Sequence, residues 1–354
     1  MKTIQWMGWG LPVCAVVSGA VQGAEADPNR LSVNGKYSVN AKGSFTSSTP
    51  AANIGPLGGG AGTQRFYNDG FVGTDISGNR PLVPGGPTMT WNWSYNDPVQ
   101  MPVAGTLNFH TSTSPTDGST RNSGDGGLPG LEVRLGRVLG NFDLGGGMKI
   151  KWGLFGGLSY AHLNLRDNGT QTGAITGTRD SYAVGPGTPL APYPGPVNPV
   201  AGPGPLIPDA PASRTAFAGT ATSAVRNELS GGLYAFTLGP FFELPLGDKW
   251  QLDLGVGAVA GAARRQYSFA ESTTITTPVG VPGVQRSGEV RSTDWLFGAG
   301  VRLGVAYTLS DMITLELGVD YQHLGSASQT VNGKTARLDL ENVIGFTGGV
   351  RWRF

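Results

Sequence analysis

Three histidines, His110, His162 and His323, and a set of charged residues spaced two apart are the side chains of this 354-residue chain best suited to chemistry. A histidine acts as a general base only with a partner within hydrogen-bond reach. His162 follows Tyr160 by two positions and His323 follows Tyr321 by two. In extended backbone each histidine therefore shares a face with a tyrosine, while neighbouring acids fall on the other face. That placement suits an amphipathic residue at the edge of a lipid layer, not a base. His110 stands among Thr and Ser residues, with no Ser-His-Asp or Asp-His spacing around it, and reads as a solvated loop histidine. No catalytic residue is assigned.

The charged set is more regular. Glu132, Arg134, Lys149, Lys151, Glu243, Asp253, Arg302, Glu316, Asp320, Asp339 and Glu341 occupy one phase of segments whose other phase is apolar. An Arg or Lys facing lipid at the bilayer midplane costs about 2–4 kcal/mol, so this phase reads as the lining of a lumen. Arg137 breaks the phase beside a turn, where the cost is small. Acids and bases nearly balance. They either plug the lumen with ion pairs, such as Glu316 or Asp339 with Arg302 or Arg337, or line a narrow water path, with glycines such as Gly157 and Gly345 leaving the space.

Two loop segments carry weaker signals. Arg65-Phe66-Tyr67-Asn68-Asp69-Gly70-Phe71, with Asp75, Ser77, Gly78 and Asn79, mixes aromatics with oxygen donors. Carbohydrate stacking or a weak Ca²⁺ site could use these types, but EF-hand spacing is absent and Asn/Asp turns explain them more simply. Pro186 to Pro211 reads as an extended, hydrated surface loop. The only cysteine, Cys14, lies in residues 1–26, which read as a signal peptide: Lys2, an apolar run from Ile4 to Val17, and Ala24-Glu25-Ala26. The rest then has no disulfide framework, and no cofactor or metal is expected. A net charge of +1 points to no nucleic-acid partner.

The elements that must hold these residues are long strands. Leu31 to Phe45 alternates, as do Leu131-Val133-Leu135 and Ile150 to Tyr160. A hairpin runs Tyr234 to Leu244, turns at Gly247-Asp248 and returns from Trp250 to Ala260. Another runs Trp295 to Tyr307, turns at Ser310-Asp311 and returns from Ile313 to Tyr321. The last strand, Ala336 to Phe354, alternates to its end, with Ala336, Leu338, Leu340, Ile344, Phe346, Val350, Trp352 and Phe354 on one face. A membrane-crossing strand needs about 9–11 residues. Charge is only 14%, glycine is 58 residues, and no stretch of 18 apolar residues follows the amino terminus. Such strands cannot leave edges in lipid, so they must close.

The expected fold is therefore all-β: a closed antiparallel transmembrane β-barrel forming one domain, 27–354. Met89-Trp91-Trp93-Tyr95 and Val103-Leu107-Phe109 would raise eight strands to ten, the favoured count, unless this Trp-rich hairpin is extracellular. Short turns face the periplasm with both termini, and long loops at about 46–88, 166–224 and 271–289 face outward. Tyr160, His162, Tyr307, Tyr321, His323 and Trp352 form the aromatic girdle.

The chain resembles bacterial outer-membrane β-barrels, similar to the small OmpA-, OmpX- and OmpW-like proteins. The sharpest match is Gly348-Gly349-Val350-Arg351-Trp352-Arg353-Phe354, which resembles their carboxy-terminal assembly signal. The resemblance implies that Val350, Trp352 and Phe354 are read by the barrel assembly machinery. It also implies that outer-membrane lipid and lipopolysaccharide are partners. The expected function is a non-enzymatic structural or surface-interaction barrel acting through its loops. The alternatives are a small OmpW-like channel for small or hydrophobic solutes, and an outer-membrane hydrolase.

Overall fold

The computed structural model describes residues 29–48, 54–57, 63–75, 78–82, 84–123, 126–143, 149–195, 205–277 and 281–354. The expected signal peptide, with Cys14, lies outside the described residues, as does Ser77.

Eight strands form a ring: β1 (Asn29–Ser47), β2 (Gly126–Asp143), β3 (Lys149–Ala183), β4 (Ser213–Pro245), β5 (Trp250–Thr276), β6 (Val284–Thr308), β7 (Ile313–His323) and β8 (Val343–Arg353). Each pairs antiparallel with the next. The first and last strands then close the ring, with Leu31 opposite Trp352 on one side and Leu135 on the other. The ladder is sealed at its end by main-chain bonds between Asn29 and Phe354, at 3.2 and 3.1 Å. Closure gives every neighbour a partner, which is the condition for a sheet to sit in hydrocarbon.

The outer surface carries an apolar belt. Ile150 to Tyr160 on β3, Tyr234 to Leu244 on β4, Leu252 to Ala262 on β5 and Trp295 to Val305 on β6 lie side by side in register. Leu158, Phe236, Leu238, Phe297 and Leu317 are all exposed at the outer surface. Each segment is eleven residues long, the length a tilted strand needs to span a bilayer. The architecture is thus a transmembrane β-barrel of the outer-membrane type.

Among the described residues the ring holds eight strands where the sequence favours ten. The Trp-rich segment forms short strands, Thr88–Thr90, Trp93–Tyr95 and Thr106–Ser112, outside the ring at its long-loop end. Its alternation arises because one face packs into a second apolar core containing Trp93, Tyr95, Leu107 and Phe109, not into lipid. The expected loops at 166–224 and 271–289 are also mostly strand. β3 and β4 pair without interruption out to Ser181 and Ser213, and β5 and β6 pair out to Thr273 and Val284. Thr- and Gly-rich residues satisfy a solvated ladder as well as apolar ones do, so polarity here marks the end of the membrane and not the end of the strand.

Two strands switch faces. In β1, Ser32, Asn34, Lys36 and Ser38 point inward and Val33 and Tyr37 outward. Asn40 then adopts a left-handed conformation (φ 67°) at a register shift between Ser38 and Ala41. This β-bulge turns Ala41 and Phe45 into the interior. The uninterrupted terminal strand expected from Ala336 is likewise two pieces. Lys334–Asp339 pairs with the upper half of β1, and β8 starts at Val343. Ala336, Leu338 and Leu340 are fully buried inside, whereas Ile344 and Phe346 face outward. Asp339 and Glu341 therefore leave the lumen set for the outer side of the rim, where Asp339 accepts the Glu341 backbone N–H at 2.9 Å.

The belt makes a direct prediction. Val301→Arg, on its mid-level, should lower unfolding free energy by about 2–4 kcal/mol, whereas Thr274→Arg, on the exposed face of β5 above it, should leave it near wild type. Urea titration of vesicle-folded protein, followed by loss of the fast-migrating unboiled band, measures both.

Candidate functional site

Inside the belt the lumen is a layer of charge. Arg351 is its hub. Its guanidinium donates to Glu316 Oε2 at 2.6 and 3.0 Å, to Glu243 Oε1 at 3.0 Å, and to Asp253. Glu316 Oε1 accepts from Arg134 at 2.7 Å. Arg134 also pairs with Glu132 at 2.8 Å, and Glu132 pairs with Arg302 at 3.2 Å. Lys36 donates to Asp320 at 2.9 Å, and Arg30 pairs with Glu243. Five cations thus meet five carboxylates, all placed by the inward phase of β1, β2 and β4 to β8. Burying an ion pair is offset only when its geometry is good and its remaining bonds are made, and here most carboxylate oxygens have a cation.

Of the sequence-derived lumen residues, Arg134, Glu243, Asp253, Arg302, Glu316 and Asp320 come together in this layer. Lys149 and Lys151 lie at the short-turn rim, Lys149 exposed and Lys151 opposite the layer's Glu243 in the β-ladder. Of the suggested ion pairs, Glu316 with Arg302 forms at 3.8 Å, while Arg337 pairs with Glu341 at the outer rim. Arg30 and Lys36 fall outside the lumen set read from sequence, although the phase of their strands places both inward; Arg351, which the alternation of the last strand assigns to a lumen or periplasmic rim of mixed charge, sits at the centre of the layer. The inward glycines make room for charged side chains. A Cβ on Gly345 would come within 2.6 Å of the Asp320 carboxylate, and one on Gly157 within 2.9 Å of Arg134.

Two voids of about 30 and 40 Å³ remain in the layer, both lined by Phe155, Arg134 and Arg302, each with room for a few waters at most. Above them, toward the long-loop end, the interior turns apolar. Leu163, Leu233, Val259, Leu296, Leu324 and Val343 pack with Tyr267 and Phe269 into one buried cluster. Arg265, 1% exposed, crosses that cluster to bond Ala327 O at 2.9 Å and Asp294 at 2.5 Å.

The second candidate is the head built on the tips of β3 and β4. Thr106–Ser112 adds to the edge of β3 from Gly177 to Ala183, and two three-stranded sheets pack on it. Tyr67 donates to Asp180 at 2.7 Å and meets the Tyr182 hydroxyl at 2.8 Å. Arg214 grips Asp180 with two bonds of 2.7 Å and donates to the Gly55 and Ile54 carbonyls. Burial pushes the Tyr67 phenol well above its ordinary range, reinforced by Tyr182 and Asp180, and the Asp180 bonds hold the Arg214 guanidinium up. Fully buried Arg65 reaches the Asp209, Ile54 and Pro56 carbonyls.

His110 is buried at 2% exposure, not solvated. Its Nδ1 lies 2.6 Å from Asp69 Oδ2, and its backbone N–H donates to Asp69 Oδ1 at 2.8 Å. Burial raises the Asp69 carboxyl, and its bonds to His110 oppose the rise. The two residues lie on separate short segments brought together by the head, so local spacing held no sign of them. The ring stands edge-on to Phe217, 6.1 Å between centroids, and its buried Nε2 has no hydrogen-bond partner among the described residues. The pair secures the turn after Arg65–Tyr67. His162 and His323 are exposed on the outer face beside Tyr160 and Tyr321, and His323 Nδ1 lies 2.6 Å from the Glu341 carbonyl oxygen.

The remaining loop oxygens are used in turns. Asp75 Oδ1 accepts from Thr90 Oγ1 at 2.6 Å and from the Trp91 and Asn92 backbone N–H groups. Asn68 accepts from Ser112 N at 2.7 Å. No group of three or more potential metal ligands occurs among the described residues. Residues on both sides of 196–204, which lie outside the described residues, pack against the head, with Tyr193 bridging Tyr95 and Trp93 Nε1 donating to Pro205 O at 2.7 Å.

Two variants separate lumen from head. Arg351→Met leaves three carboxylates without their hub and should cost the barrel about 3–5 kcal/mol, read by thermal loss of the unboiled gel band. Tyr67→Phe should cost about 1–2 kcal/mol locally. It should speed protease cleavage in the head while leaving the barrel transition unchanged.

No family model matches the chain, and no curated protein matches it. Among solved structures, Ail of Yersinia pestis, crystallised with the heparin analogue sucrose octasulfate, is 9% identical, covers 92% of this chain and 99% of its own, and has a TM-score of 0.25. The outer membrane protease OmpT of Escherichia coli is 10% identical over 94% of this chain and 99% of its own, with a TM-score of 0.29. The toluene transporter TodX of P. putida is 8% identical over 93% and 91%, with a TM-score of 0.17. These scores are low, and the architecture rests on the strand pairing itself.

Proposed function

We propose that this protein is an outer-membrane β-barrel of Gram-negative-type bacteria that works as a non-enzymatic surface-interaction protein. The long-loop end presents the head to the outside, and the short turns and both termini lie in the periplasm. The observation that carries the reading is the filled interior: a charge-paired layer around Arg351, capped by the apolar cluster of Leu163, Leu233, Val259 and Leu296. An eight-stranded barrel is only wide enough for its own side chains, and these fill it. This supports an occluded lumen over the OmpW-like channel. The closed setting of His110 likewise supports a non-enzymatic reading over a hydrolase. What distinguishes the chain is the head, whose separate core containing Trp93, Tyr95, Leu107 and Phe109 gives the outer end an ordered surface. Lipid and lipopolysaccharide around the belt, and the barrel assembly machinery acting on Val350, Trp352 and Phe354, are the partners this reading carries. Trp352 and Phe354 are exposed at the barrel's end.

Planar-bilayer recording on refolded protein tests the reading. The wild type should show no stable unitary current. Stable unitary currents from the wild type would replace this reading with the channel.

A further inference from the structure

On the outer face of β5 the belt is not uniformly bulky. Ala258, Ala260 and Ala262 follow one another at every second position and end at Arg264. In the ladder, Ala260 lies between Phe236 and Phe297, and Ala262 between Tyr234 and Trp295. Trp295 and Phe297 are 68% and 72% exposed, so they stand as a ridge beside a shallow floor. The floor runs about 20 Å from Ala258 to Arg264, at about 3.3 Å per residue, and is walled on both sides at Ala260 and Ala262, while the β6 neighbour of Ala258 is the small Ala299.

The groove has a cationic head. Arg264 lies between Gly232 and Thr293, two small residues, and makes no hydrogen bond or ion pair with any described residue. One step further out Arg291, 70% exposed, lies opposite Gln266 and bonds it at 3.1 Å. Arg166 and Arg226 continue the outer face, and across this whole surface four arginines meet only two acids, Glu228 and Glu289. Below Arg264 the Tyr160 and Tyr234 rings lie 5.1 Å apart and close over Gly232. Aromatics at the end of an apolar belt mark the headgroup level. An unpaired guanidinium one step above them, at the mouth of an acyl-sized groove, is complementary to a phosphate on a lipid.

We infer that the groove on β5 holds one acyl chain of a bilayer lipid whose phosphate monoester headgroup is bound by Arg264 and Arg291. The inference rests on the membrane reading above. The site lies outside the lumen and does not depend on whether the lumen conducts.

Native mass spectrometry of the detergent-refolded full chain tests it, with dipalmitoyl phosphatidic acid and dipalmitoyl phosphatidylcholine as probes. The wild type should retain the phosphatidic acid preferentially. Arg264→Ala with Arg291→Ala should weaken that retention by roughly fivefold per arginine and leave phosphatidylcholine unchanged. Ala260→Trp should reduce retention of both lipids by filling the groove. Arg137→Ala, exposed near the short-turn end, should change neither. Equal retention of the two lipids by wild type, no effect of the double variant, or the same loss from Arg137→Ala overturns the site while leaving the barrel reading intact. Loss of the shift between unboiled and boiled bands in the wild type would instead overturn the barrel, and the site with it.

Discussion

Five positive and five negative side chains are enclosed in a ring only eight strands wide, and the barrel can close only if they neutralise one another there. In water each would be cheap. In the low-dielectric interior an unpaired one would cost several kcal/mol. Arg351 satisfies this constraint by touching carboxylates from β4, β5 and β7, so that one side chain ties strands from opposite walls. The inward glycines, the small residual voids and the apolar layer above all follow from making space for, and then sealing, that charge. The outer belt needs no such coordination, because lipid accepts any apolar residue.

Much of this was readable from alternation. The belt segments of β3 to β7, and the inward phase of Arg134, Glu243, Asp253, Arg302, Glu316 and Asp320, follow directly from period-two spacing. What alternation does not encode is which face is which once a strand leaves the membrane. A single left-handed residue, Asn40, reverses the phase of β1, and the break at Leu340 to Asn342 does the same before β8. Ala336, Leu338 and Leu340 look identical to belt residues in sequence and are core residues in space.

The Trp-rich segment poses the same ambiguity. Trp93 and Tyr95 need an apolar neighbour on one face, and lipid and a packed protein core meet that need equally well. Length decides between them: three-residue strands cannot cross a bilayer. The His110 pair is hidden for another reason. Asp69 is 41 positions away, and only the folding of the head onto the tip of β3 brings the two together.

The uninterrupted pairing of β3 with β4 beyond Tyr160 has a mechanical consequence. Those strands continue for sixteen residues past the belt, 161–176 on β3, before the head begins at Gly177, a contour of about 50 Å. The head is carried on a laddered sheet and not on a flexible tether. Its standoff from the bilayer is a fixed reach, set by residue count and strand tilt as the height of a mast is set by its timber. Whatever it meets must come to that height, and thermal motion of a linker cannot bring it closer.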